Sequence, residues 1–159
     1  MKLPYFLIFL FVITSSFGQS DKDQIMKPIH DLFTGMMKGD SALVHTAFTD
    51  DATMVSVGKD RNGIFSIRRQ TIEPFLKAIG TPHDEIWQEP IWDIKIESDN
   101  MMAQVWVKYA FYIGKKFSHC GVDAFQLANT TQGWKIFHLA DTRQRENCEI
   151  PEDIKSKFN

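Results

Sequence analysis

An α+β fold, with three N-terminal helices packed on a curved, mainly antiparallel sheet, is what this sequence predicts. Three observations carry the prediction. Apolar residues recur at helical spacing over residues 25–37, the period changes to two beyond Pro82, and the long two-period runs are separated by tight turns at Asp99-Asn100 and Gly114-Lys115. The chain has 159 residues, 43% hydrophobic and 24% charged, which suits one globular domain, and no repeat or linker divides it.

Taken in order, Met1-Lys2 is a short basic start, residues 3–13 are almost wholly apolar, and small residues stand at Ser16 and Gly18. That pattern predicts a secretory signal peptide over residues 1–18, cut after Gly18, leaving a single domain over 19–159. Its apolar run falls short of the roughly 20 residues needed to span a bilayer, so no stable membrane insertion is expected after cleavage. The expected location is periplasmic or extracellular, an oxidising compartment in which Cys120 and Cys148 can pair. A buried thiol and a free thiol are the alternative, and spacing does not choose between them.

Ile25, Ile29, Leu32, Phe33, Met36 and Met37 form the buried stripe of a first helix, with Pro28 in its first well-formed turn and Gly39 as its stop. Asp40 or Ser41 caps a second helix through Phe48, closed by Asp50-Asp51. Residues 52–57 and 64–67 read as a hairpin around a polar loop. Thr71 is the expected cap of a third helix, with Glu73 and Pro74 in its first turn and Gly80 at its end. Four long strands follow, over residues 85–98, 101–113, 116–128 and 134–145.

With these elements drawn, three stretches resemble the NTF2-like superfamily, the cone-shaped fold that includes the SnoaL-like and ketosteroid isomerase-like proteins. They are Met37-Lys38-Gly39-Asp40 with Phe48-Thr49-Asp50-Asp51-Ala52-Thr53, Gly114-Lys115-Lys116 through Val122-Asp123-Ala124-Phe125, and Gly133-Trp134-Lys135-Ile136-Phe137-His138. Together they span nearly the whole domain. The resemblance implies a pocket inside the cone. It also places Asp123 at the late-strand acid of the ketosteroid isomerases, but Leu32 and Ser56 stand where their tyrosine and proton-transferring aspartate belong. Leucine and an unactivated serine cannot move a proton from carbon, so steroid isomerisation is not expected.

If Asp123 faces the cone, strand alternation adds Phe117, His119 and Phe125 unless a bulge intervenes. On the neighbouring strand Trp106, Lys108 and Tyr112 are expected to line the same pocket, with an ion pair between Lys108 and Asp123 as the structural alternative to catalysis. His138 and Thr142 complete the expected wall. Asp123, with His119 or His138, is the candidate acid and base. His119 and Cys120 point to opposite faces and no metal-ligand spacing occurs, so neither metal nor cofactor is expected. Arg68-Arg69 reads as a solvated pair, and Asn129-Thr130-Thr131 as a chance glycosylation triplet.

A net charge of −2 argues against a nucleic-acid partner. The expected function is binding of a small, largely apolar molecule in the cone. The alternatives are a cofactor-free isomerase, dehydratase or hydrolase and a protein-interaction module. A homodimer through the outer sheet face is expected because Val105, Val107, Tyr109 and Phe111 form a second apolar face on their strand.

Overall fold

The computed structural model describes residues 17–60 and 62–158; of the expected signal peptide, residues 1–16 lie outside the described residues. The elements run α1 (Phe17–Lys38), α2 (Ser41–Thr46), β1 (Phe48–Lys59), β2 (Phe65–Thr71), α3 (Glu73–Gly80), β3 (Trp87–Gln88), β4 (Ile91–Ser98), β5 (Met102–Ile113), β6 (Lys116–Thr130), β7 (Gly133–Arg143) and α4 (Glu152–Lys155). The predicted α+β architecture is present, with one short terminal helix, α4, that the sequence reading did not contain. No helix among the described residues is long and apolar enough to cross a membrane.

Several boundaries move for identifiable reasons. Pro28 lies inside α1, not in its first turn. Ile25 and Met26 before it and Ile29 and Leu32 after it are buried in one core, and that burial outweighs the roughly 3 kcal/mol an interior proline costs. Asp40 caps α2 as expected, its side chain accepting from the Leu43 amide at 2.9 Å. Phe48 leaves the helix and opens β1 instead. Thr71 ends β2 and does not cap α3, whose N-cap position is Ile72; the Thr71 side chain hydrogen-bonds Glu73. The strand expected over residues 85–98 is broken into β3 and β4 at Glu89-Pro90, because proline has no amide hydrogen for the ladder.

The sheet order is β2-β1-β7-β6-β5-β3, with β4 also paired to β5. Among the described residues only the β1–β7 pair is parallel. The helices pack on the concave face, where Ile29, Leu32, Val44 and Ile79 meet Val105, Phe125, Leu127 and Ile136. A second apolar cluster lies on the outer face. There Ala110, Tyr112 and Cys120 meet Ile150 and Ile154 of the C-terminal segment, Phe158 stacks on Tyr112 at 3.8 Å, and a Cys120–Cys148 disulfide ties the segment down.

The faces of β5 are the reverse of those expected. The turn at Gly114-Lys115 pairs Ile113 with Lys116 and Tyr112 with Phe117, but the next pair is Phe111 with His119. Ser118 is therefore an extra residue on β6, a bulge that advances the register by one and sets Val107, not Trp106, opposite Asp123. Val105, Val107 and Tyr109 are consequently buried inside, and they do not form the outer surface on which the dimer expectation rested. Trp106, 42% exposed, lies outside with Lys108, Ala110 and Tyr112.

Candidate functional site

The concave face carries a row of polar side chains across four strands. Arg68 of β2 pairs with Ser56 of β1, Ser56 with Asp141 of β7, and Asp141 with Asp123 of β6. Directly opposed residues on neighbouring strands bring their Cβ atoms to about 5 Å, so this register delivers the row as one cluster. Ser56 Oγ donates to Asp141, and Arg143, one row further, donates from Nε to Asp141 Oδ2 at 2.5 Å. The Asp141 side chain is only 13% exposed, which favours the pairing over solvation.

A pocket of about 350 Å³ opens above this row. Ser56, Arg68, Glu89, His119 and Arg143 form its polar side, while Phe75 and Ala78 of α3, Met36 of α1, Trp87 and Phe111 form the apolar side. Trp87 packs edge-on against Phe111 and is stacked from behind by His83 at 3.9 Å, so the indole is held in place. Gly121 on the floor lets β6 approach β7: a Cβ there would collide with the Thr142 carbonyl oxygen, the same oxygen that accepts from the Tyr109 hydroxyl at 2.8 Å.

The central feature is a carboxyl pair. Asp123 is 3% exposed, and its buried Oδ2 meets no N–H or O–H donor among the described residues. Its carboxyl instead hydrogen-bonds that of Glu89, which requires a proton between them. Burial first, then the charges of Glu89 and Asp141, push Asp123 well above the usual carboxylate range. Asp123 therefore keeps the proton and donates to Glu89. Burial likewise raises Glu89 to about 7, against the lowering effect of that hydrogen bond and of Arg143. His119 moves the other way, to about 4, through burial and then the charge of Arg143. At neutral pH the pocket thus holds a neutral imidazole beside a carboxyl poised to titrate.

Of the residues the sequence nominated, Asp123 and His119 enter this cluster and the others do not. Phe117 precedes the bulge and packs on Tyr112 of the outer face at 5.7 Å between ring centroids. Lys108 pairs with Glu149 and Asp93 outside, not with Asp123. His138 lies outside as well, bonded through Nδ1 to Thr53 Oγ1 at 2.7 Å, since it pairs with Gln126 on the face opposite Phe125. Phe125 is core, edge-on to Phe33 beneath the helices. The Thr142 hydroxyl accepts from the Val122 amide. Arg68, read as one of a solvated pair, lines the pocket rim.

Sequence reasoning missed Glu89. Its signal is an acidic residue directly before the proline that interrupts a two-period run, where a strand must stop pairing and a side chain can turn inward.

Compared with known proteins, residues 20–139 match the family model described as "Putative lumazine-binding". No curated protein matches the chain. Among solved structures, an NTF2-like protein of unknown function from Shewanella baltica superposes with a TM-score of 0.60 at 17% identity, covering 84% of this chain and 100% of that one. An NTF2-like protein with a cystatin-like fold from Novosphingobium aromaticivorans gives 0.64 at 10% identity, covering 81% and 85%. A protein of unknown function with a cystatin-like fold from Nostoc punctiforme gives 0.62 at 11% identity, covering 80% and 93%. At these identities the likeness is one of fold, and the fold is NTF2-like.

Proposed function

We propose that this chain, which belongs to the putative lumazine-binding family and has the NTF2-like fold, binds a small planar molecule in its cone. The observation that carries the reading is the pocket of about 350 Å³ with a fixed aromatic wall, Trp87 against Phe111, facing a polar wall of Glu89, His119 and Arg143. Apolar surface with a few convergent polar groups is what a small-molecule site requires. The expected ligand is thus less purely apolar than the sequence reading held: it needs a ring for the wall and a polar edge for the cluster.

Native mass spectrometry of gently purified protein tests this, together with titration of tryptophan fluorescence by lumazine, the flat heterocycle that the family description names. Retention of a small molecule, or saturable quenching that Trp87→Ala weakens about tenfold, is the expected result. Bare protein that no flat heterocycle quenches overturns the reading.

A second reading, cofactor-free acid–base catalysis, is favoured by one observation. Glu89 lines the cavity and titrates at about 7, where a group can both take and return a proton. In that reading Glu89 is the base, Asp123 sets its proton affinity, and neither histidine is needed. Glu89→Gln abolishing turnover in a folded protein is its signature.

Export with cleavage after Gly18 is part of the proposal, supported by the Cys120–Cys148 disulfide, which persists in oxidising compartments. A homodimer is also proposed, through the outer row of Val55, Ala140, Ala124 and Trp106 that the observed register sets side by side. Sedimentation as a monomer at micromolar concentration overturns the dimer.

A further inference from the structure

We infer that the molecule held in the cone is a planar monocarboxylate, its acid group met by Arg68 and Arg143 at the polar wall and its ring laid against Trp87 and Phe75. The inference deepens the binding reading above and rests on it.

The charges facing the cavity carry the argument. Arg68 has no ion pair among the described residues, yet it lines the pocket and stands in register with Ser56, at the end of the row that leads to Asp141 and Asp123. Arg143 is fixed by one bond, from Nε to Asp141, and it lines the same pocket. The Arg143 row meets glycine on β1, where Gly58 is its partner, so no side chain from that position screens the guanidinium. Against two guanidinium groups stand Asp141, already engaged by Arg143 and Ser56, and the Glu89–Asp123 pair. His119 is neutral, and the buried Tyr109 hydroxyl is kept protonated by burial and by the nearby carboxylates.

With both Glu89 and Asp123 protonated, the lining groups and Asp141 sum to one net positive charge, which suits one carboxylate, and Arg145, near enough to His119 to hold it down, adds to the same sign. When Glu89 gives up its proton the surplus is cancelled and the incoming anion meets a like charge. Affinity for the acid therefore falls as pH rises through about 7. A cationic or purely hydrogen-bond-donating ligand would show the opposite sign, because it gains from the Glu89 carboxylate. The aromatic side explains why the anion should be planar: Trp87 is clamped between His83 and Phe111 and presents a fixed surface, and Phe75 of α3 lines the same cavity.

The test is calorimetric titration of the protein with 2-naphthoate, and with 2-naphthylmethanol as its uncharged counterpart, from pH 5.5 to 8.5. At pH 6 the acid should bind about tenfold more tightly than the alcohol, the worth of one charge-assisted contact. That ratio should shrink above pH 7, and Arg68→Gln should bring it near one. Glu89→Gln, which fixes the position in a neutral form, should keep the ratio high at pH 8.5. An alcohol that binds as tightly as the acid overturns this inference while leaving the binding reading intact. A ratio that Arg68→Gln does not change, or that rises with pH, overturns it equally. Binding of neither probe also overturns it, and whether the binding reading falls too is decided separately by the retained ligand and the lumazine titration.

Discussion

The β5–β6 hairpin presents two faces that differ in what they ask of their residues. On the outer face Ala110, Tyr112 and Cys120 meet Ile150, Ile154 and Phe158 of the C-terminal segment in an apolar cluster closed by the Cys120–Cys148 disulfide. On the concave face, one residue along the same strands, Tyr109, His119 and Asp123 stand among Glu89, Asp141 and Arg143. Every group of the outer cluster gains by being buried. The inner cluster holds two carboxyls in contact and an imidazole prevented from charging, each of which lowers stability. Strand alternation is what lets adjacent residues serve opposite ends: Cys120 staples the strand from behind while His119 faces the cavity. The covalent tie stabilises the wall that the strained polar cluster needs.

The largest expected effect breaks both faces at once. Gly121→Ala places a Cβ against the Thr142 carbonyl, and only separation of β6 from β7 relieves the collision. We expect a loss of about 3 kcal/mol or more in urea unfolding, together with loss of the pocket. A loss under about 1 kcal/mol would mean that the approach of the two strands is not what holds the floor.

Removing the staple alone should separate the faces. With both Cys120 and Cys148 changed to Ser, freeing a loop of 28 residues' separation, the unfolding free energy should drop by about 3 kcal/mol. The titration of Glu89, followed by carboxyl-carbon magnetic resonance in the folded variant, should stay near pH 7. A shift toward the ordinary carboxylate range would show that the outer cluster tunes the inner one, and the two faces would then be a single unit.

What the sequence revealed follows the same division. Helical and two-residue periodicities located α1, α2, α3 and the long strands, because burial on one face of an element leaves a periodic trace. Strand alternation put Asp123 and His119 on one face, and the family resemblance, not the pattern, pointed that face into the cone. The fate of β5 was not, since it hangs on a single extra residue at Ser118, and a bulge has no compositional mark while inverting every later side chain. Trp106, Lys108 and Tyr112 were assigned to the pocket for that reason alone. Glu89 was hidden inside a run that read as one continuous strand, although Pro90 carried the sign that it was not. The contact of Glu89 with Asp123 joins residues 34 positions apart, and no local pattern reports it.

The smallest expected effect sharpens the contrast through pH. Folding raises Glu89 from 4.5 to about 7 and raises Asp123 well above its ordinary range, so between pH 4.5 and 7 the folded chain binds more protons than the unfolded one. Stability contributed by this pair is therefore lost as pH rises through that window. His119, lowered from 6.5 to about 4, works in the opposite sense, and its contribution is lost as pH falls below 6.5 toward 4. Glu89 and His119 offset one another up to about pH 6.5, above which only the loss from the carboxyl pair remains. Asp123→Asn replaces the donating carboxyl O–H by an amide N–H that still donates to Glu89, and it removes the proton that Asp123 holds in the folded chain and gives up in the unfolded one. The decline between pH 5.5 and 8.5, on the order of 1 kcal/mol in the wild type, should therefore shrink to about half, leaving the part that Glu89 contributes. An unchanged slope in thermal unfolding across that range would place the titration elsewhere in the molecule. A flattened one ties the pH dependence to the carboxyl pair on the concave face, since Asp123 lies on that face and the disulfide on the other does not titrate.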